Sequence, residues 1–298
     1  MRKFIFGTDW WSDCDDVVAM RLLARAAKRK EIQLLGVGIN ACMSYSVASL
    51  KGFLCAEDFE ENVPIGIDLA ATDYGGPALY QKRLTDNYCP QATNADAMDA
   101  ARLYRKLLAE ADTPVEIIEV GFLQVMAEVL QSEGDDISPL SGLELVHEKV
   151  AKIWVMAGKW DADGERENNF CRNLRASIAA EAFCRLCPVP ITFLGWEVGI
   201  NVLSGGELAE SDPLHQVLVD HGSGKGRHSW DPMLTLLALI GDEEKAGYRS
   251  VCGTATVDAS NGANYFVQDP NGLHKYVVKV QPDDYYKNAI NDLISSKL

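Results

Sequence analysis

Apolar and polar positions alternate between two periods along most of the chain. Residues 3–8 form a short β-type apolar run, and residues 15–28 follow with a helical period that turns Val18, Met20, Leu22 and Leu23 inward. Strands are expected again at 32–37, at 63–67 with Pro64 at its opening, and at 115–120, 152–156 and 191–194. Helices are expected at 44–59, 95–111, 123–132 and 177–186. This alternation predicts an α/β fold, with an open, mostly parallel sheet flanked by helices. Residues 252–280 break the pattern: β-rich pieces at 255–257, 264–267 and 275–280 are separated by Asn-Gly pairs at 261–262 and 271–272. They predict a C-terminal antiparallel β-rich extension. A last helix is expected over 283–296. With no repeat, low-complexity stretch or linker, residues 1–298 read as one domain.

In such sheets ligands bind outside the carboxyl ends of the strands, so the residues just after each strand matter most. The first strand runs into Thr8-Asp9-Trp10-Trp11-Ser12-Asp13-Cys14-Asp15-Asp16. Four carboxylates this close repel one another unless a cation sits among them. Oxygen ligands gathered on one loop suit Ca²⁺ or Mg²⁺. A plain acidic turn, with Asp13 or Asp15 capping the helix, is the alternative. The two tryptophans argue against it, and Trp10 and Trp11 are expected in a pocket wall.

Composition narrows the partners. The 298 residues are 47% apolar, enough for one large core or two modest ones. Twenty-eight Lys and Arg against 43 Asp and Glu give a formal charge of −15. Such a surface repels nucleic-acid backbones and anionic membranes, and suits metals and neutral or cationic small molecules. No run approaches a membrane span, and the apolar start is cut off by Thr8 and Asp9, too early for a signal peptide. The expected location is cytoplasmic. Eight scattered cysteines read as reduced thiols. Cys184 and Cys187 form a CxxC beside an apolar helical run, with no second pair or His to complete a zinc set.

The motifs resemble those of nucleoside hydrolases of the inosine–uridine-preferring type. That family opens with a strand and DTDPGxDDxxAL, or the longer DTDxGxDxDDxxAL. Residues 6–20 match the longer form, with Gly7 in place of the first aspartate and Trp11 in place of the glycine. Gly38-Ile39-Asn40 resembles the family's GN, and Gly121-Phe122-Leu123-Gln124 stands where the family has GPLT. Met156-Ala157-Gly158 resembles the MGG that ends a central strand. Glu167-Asn168-Asn169-Phe170 resembles the ExN ribose motif, with Asn173 a second candidate for its asparagine. Trp230-Asp231-Pro232 resembles the C-terminal HDP.

The resemblance implies a nucleoside hydrolase-like domain with a Rossmann-like core, forming a homo-oligomer and acting on a small-molecule nucleoside or ribosyl compound. It implies a Ca²⁺ ion held by Asp9, Asp16, Asp231 and the backbone carbonyl of Gln124, with Asp9 as general base. Asp15, Asn40 and Asn169 (or Asn173) would bind the ribose hydroxyls, and Glu167 would lie near the 5′ side. Asp13 would support the ligands from behind. Some family members protonate the departing base with the histidine of HDP. Trp230 stands there in this chain and is expected to contact substrate, leaving His228 as a candidate acid. Plainer roles remain open: Asn40 as a helix cap, Asp231 as a cap ahead of Pro232, and 161–172 as a solvated loop. A catalytically weak ribose- or nucleoside-binding protein is the alternative function. A phosphoryl-transfer hydrolase is disfavoured, because the chain has no Walker-type loop and few basic residues near the aspartates in sequence.

Overall fold

Phe4 and Phe6 of β1 (Arg2–Thr8) enter one hydrophobic core, and Ile5 between them enters another. A strand covered on both faces needs a near-continuous apolar run, which explains why these positions do not alternate with polar ones. Each fully buried side chain of this size contributes about 1.5–3 kcal/mol. The computed structural model describes residues 1–59 and 63–296.

From β1 the chain continues through α1 (Asp15–Lys28), β2 (Ile32–Ile39), α2 (Ser46–Ala56), β3 (Ile65–Ile67), α3 (Leu79–Tyr88), β4 (Met98–Asp99) and α4 (Ala100–Glu110). It returns through β5 (Val115–Glu119), α5 (Gln124–Gln131), α6 (Gly142–Lys149) and β6 (Val150–Met156). Then come β7 (Glu165–Arg166), α7 (Asn168–Cys171), α8 (Leu174–Leu186), β8 (Ile191–Leu194) and α9 (Trp196–Gly199). A small ribbon of β9 (Leu203–Ser204) and β10 (Arg227–His228) brackets α10 (Pro213–His221). The chain ends in α11 (Trp230–Ile240), β11 (Tyr248–Val257), β12 (Ala263–Gln268), β13 (His274–Lys279) and α12 (Asp283–Ser295).

The main sheet has the order β4-β3-β2-β1-β5-β6-β8-β13-β11-β12-β7. Pairing is parallel from β4 to β13 and antiparallel from there to β7, so the expected parallel sheet and antiparallel extension are both present. From β1 the chain winds outward to β4 and then returns to β5 on the other side of β1. That reversal opens a crevice between the ends of β1 and β5, the usual ligand position in such sheets. Among the described residues no helix is long and apolar enough to cross a membrane.

Several boundaries differ from the sequence pattern. The helix expected from residue 95 begins at Ala100, because Asp99 caps it by accepting from Arg102 N at 2.9 Å. β11 starts at Tyr248, well before the expected 255. The Asn261-Gly262 pair turns the β11–β12 hairpin, with Gly262 left-handed at φ +74°. Asn271-Gly272 makes no second hairpin, since β12 and β13 both pair with β11 and lie on opposite sides of it. The pattern did not show α3, whose buried positions include the polar Gln81 and Thr85.

Candidate functional site

The acidic loop is held in place by its own backbone and by α3. Trp10 turns the chain out of β1 in a left-handed conformation, φ +46°, which is strained for a bulky residue and persists only when its surroundings fix it. Its N–H donates to Thr8 Oγ1 at 2.9 Å, and its carbonyl accepts from Gln81 Nε2 at 2.5 Å. The Trp11 carbonyl accepts from the Tyr80 hydroxyl at 2.6 Å. Trp10 drives its ring into the core, where Nε1 donates to Ser49 Oγ and the ring meets Phe53 and Tyr80. Trp11 is buried as well, donating to Gly76 O at 2.8 Å. Neither ring lines the cavity described next, contrary to the expectation from sequence.

A cavity of about 250 Å³ opens at the crevice, and Asp9, Asp13, Asp15, Asp16, Glu167 and Asp231 all face it. Asp15 and Asp16 occupy the first turn of α1, and Asp231 the first turn of α11. Two helix N-termini, each favouring negative charge, therefore converge here. Asp13, Asp15 and Asp231 do not occupy the cap positions of α1 and α11, which fall to Cys14 and Ser229 without a side-chain cap. Nor does Asn40 cap a helix, since Tyr45 precedes α2.

Asp15, Asp16 and Asp231 each offer an oxygen within 4.8 Å of the other two, all deeply buried. Burial first, and then repulsion from neighbouring aspartates, Asp9 and Asp13 among them, pushes all three far above the usual carboxylate range. Asp9 is pushed up to about 7, mostly by burial, with Asp13, Asp15 and Glu167 adding to the rise, while the Trp11 N–H holds its Oδ1 at 3.0 Å. The partners of the trio are few: Thr8 Oγ1 and Trp10 N reach Asp16, and Asp231 N reaches Asp15 Oδ2 at 3.1 Å. Three buried carboxylates without a cationic partner among the described residues, all hard oxygen donors, fit a divalent metal of the calcium or magnesium type. Asp15, which the resemblance put on ribose, stands in this trio, and Asp9 lies beside it on the same cavity.

The remaining expected residues divide into two groups. Glu167 accepts from Gly158 N and Asn169 N, each at 3.0 Å, and burial pushes it to about 7. Asn169 spends both amide hydrogens on the carbonyls of Met156 (2.8 Å) and Val120 (3.2 Å), at the ends of β6 and β5. Its Oδ1 is thereby fixed as an acceptor. Residues 165–171 form β7 and α7, so this stretch is not a solvated loop. Asn173 instead caps α8 and donates to Asp73, away from the cavity. Asn40 is fully buried behind the site, its Oδ1 accepting from Phe122 N and its Nδ2 unpartnered among the described residues. Gln124 opens α5 with its side chain between Asn40 O and the Tyr74 hydroxyl, and does not line the cavity.

The far wall is aromatic and cationic. Trp196 and Trp230 line it, stacked with centroids 6.4 Å apart and planes at 27°, and Trp230 Nε1 donates to Trp196 O at 2.8 Å. Arg227 lies 5.3 Å from the Trp230 ring and forks onto Asp13, with Nε–Oδ1 at 2.7 Å, which holds the Asp13 carboxyl below its ordinary range despite burial. His221 lies 3.9 Å from Asp13, and burial lowers its pKa. The His228 ring sits 5.2 Å from Trp230 and does not line the cavity. Sequence reasoning missed Arg172 and Arg227, both of which face the aspartates. Arg227 and Asp13 are separated by 214 positions, so no local spacing could have revealed them.

No family model and no curated protein matches this sequence. Solved structures do. The chain is similar to the inosine-uridine preferring nucleoside hydrolase from Bacillus anthracis, at 14% identity and TM-score 0.68, over 99% of both chains. It is similar to the purine-preferring ribonucleoside hydrolase from Gardnerella vaginalis, at 14% identity and TM-score 0.68, over 99% of this chain and 98% of that one. The type III effector protein XopQ, complexed with adenosine diphosphate ribose, matches at 16% identity and TM-score 0.69, over 99% and 93%. The chain has the fold of the nucleoside hydrolases, as its motifs led one to expect.

Proposed function

We propose that this protein is a calcium-dependent hydrolase that cleaves the N-glycosidic bond of a ribonucleoside or related ribosyl compound. The observation that carries the reading is Asp9 standing beside the buried Asp15, Asp16 and Asp231 trio, in the crevice between β1 and β5. The named relatives of this fold support the substrate class: two are nucleoside hydrolases, and XopQ is complexed with adenosine diphosphate ribose.

Water attack on a ribosyl carbon passes through a cation-like centre, which an anionic cavity stabilises. A calcium ion held by Asp16 and Asp231, with Asp9 or Asp15, would supply acidification of the attacking water. Asp9, oriented by the Trp11 N–H, takes the proton of that water as it attacks. Asn169 presents its fixed Oδ1 to a ribose hydroxyl, and Glu167 offers a second acceptor from the same wall. The stacked Trp196–Trp230 pair provides an apolar face for an aromatic leaving group. Turnover of a cleaved nucleoside by Asp9→Ala tests the assignment: loss of 10²-fold or more is expected, and full retained turnover contradicts it.

One observation favours the second reading, a catalytically weak ribose-binding protein. Trp230 occupies the wall where some relatives of the motif carry an acid, and His228 stands behind it. Ribose binding by a calcium-loaded protein that splits no nucleoside would establish that reading.

A further inference from the structure

Arg172 lines a cavity rich in carboxylates and, among the described residues, pairs with none of them. It follows α7, five residues after Glu167, and lines the same cavity as Asp9 and Asp231. Its guanidinium lies 4.8 Å from the Trp11 ring, and Nη2 donates to Tyr74 O at 3.3 Å. The aromatic face and one carbonyl hold it in place while most of its five N–H donors stay free. Arg227, the other cavity arginine, is neutralised by its fork onto Asp13. Ser12 and Asn168 line the same cavity, are exposed like Arg172, and make no side-chain hydrogen bond among the described residues.

A guanidinium in an acidic cavity gains most by forking onto a carboxylate. One held on an aromatic ring instead, in a cavity that also offers two idle polar side chains, is prepared for an anion that arrives with the ligand. We infer that Arg172, with Ser12 and Asn168, receives a phosphate ester carried by the ribosyl substrate. The inference rests on the ribosyl reading of the cavity and narrows its substrate class. Vicinal 2′ and 3′ hydroxyls are the sugar's natural chelate for a hard cation, which leaves the 5′ oxygen for esterification. The class is therefore a nucleoside 5′-phosphate or a derivative linked through that phosphate. Guanidinium and phosphate match as planar fork and paired oxygens. The chain's overall charge of −15 does not forbid this, because exposed charges beyond about 8 Å are screened at physiological salt.

Ribose and ribose 5-phosphate test the inference without any need for cleavage. Calorimetric titration of the calcium-loaded protein is expected to show ribose 5-phosphate binding at least about tenfold more tightly than ribose, the yield of one charge-assisted contact. Arg172→Ala and Arg172→Gln are expected to bring that ratio close to one. If Arg172 merely clamps the Tyr74 loop, both sugars weaken together and the ratio survives, which overturns the inference. A ratio near one in the unmodified protein overturns it as well and leaves the ribosyl reading intact. Failure of both sugars to bind overturns the two together.

Discussion

Gly7 on β1 and Glu119 on β5 are register partners, and the Glu119 carboxyl fills the space that a side chain at position 7 would need. A Cβ built on Gly7 collides with both carboxyl oxygens. Tyr104 donates its hydroxyl to Glu119 Oε1 at 3.0 Å, and Gly38, opposite Gly7 on β2, leaves room for the Tyr104 ring. The motif lacks an aspartate at position 7, yet this level of the sheet carries a carboxyl brought across from the next strand. Gly7→Ala is therefore expected to destabilise the protein by about 1–3 kcal/mol through overpacking. Combined with Glu119→Ala it should cost less than the sum of the single changes. Chemical denaturation of the four proteins of that cycle checks the coupling, and additive effects contradict it.

Glu119 also predicts a pH dependence. Burial pushes its carboxyl from 4.5 up to about 8. Below about 4.5 the folded and unfolded states both hold the proton, and its stabilising effect is fully present. As pH rises towards 8 the unfolded chain gives up the proton while the folded one retains it, so stability falls, and the loss is complete above 8. Glu119→Gln removes this titration. The stability gap between the variant and the unmodified protein should widen in favour of the variant across pH 5–8, by up to a few kcal/mol. A gap that does not change with pH would rule out a protonated Glu119.

Removing one carboxylate of the trio should act in opposite directions with and without calcium. At about 100 times its dissociation constant, calcium stabilises by about 2.7 kcal/mol, a rise of several degrees in melting temperature. Asp16→Asn should melt higher than the unmodified protein in chelator, because it relieves repulsion among buried carboxylates, and should lose the calcium shift. Scanning calorimetry with and without calcium reads both, and an unaltered shift in Asp16→Asn would exclude it as a ligand.

Trp196 is 39% exposed and lines the cavity, so its removal separates binding from folding. Trp196→Ala is expected to cost only about 1 kcal/mol of stability, through the lost stacking on Trp230. It should weaken binding of an aromatic nucleoside about tenfold through lost stacking, leaving ribose nearly unaffected. Equal weakening of both ligands would argue against the stacking role.

The local part of the site was legible in the sequence. Asp9, Asp15 and Asp16 follow a buried strand and open a helix, and that signal lies within a few residues. Trp230 was legible through its place in the HDP-like motif, but Trp10, Trp11 and Trp196 were not: a left-handed φ at Trp10 sends its ring to the core, and Trp196 arrives from a helix far along the chain. Asn169 and Asn173 looked alike in sequence; only the carbonyls of Met156 and Val120, from two separate strands, single out the first. Arg172 was likewise hidden, since its partner surface is the Trp11 ring and the Tyr74 carbonyl, and no pattern of charge reports either.

The most direct test is reducing-sugar release from a panel of nucleosides, nucleoside 5′-phosphates and adenosine diphosphate ribose, with calcium and with chelator. The account predicts calcium-dependent release from at least one member, lost in chelator. Calcium that stabilises the protein while every member of the panel stays intact would contradict the hydrolase and leave a ribose-binding protein on this fold.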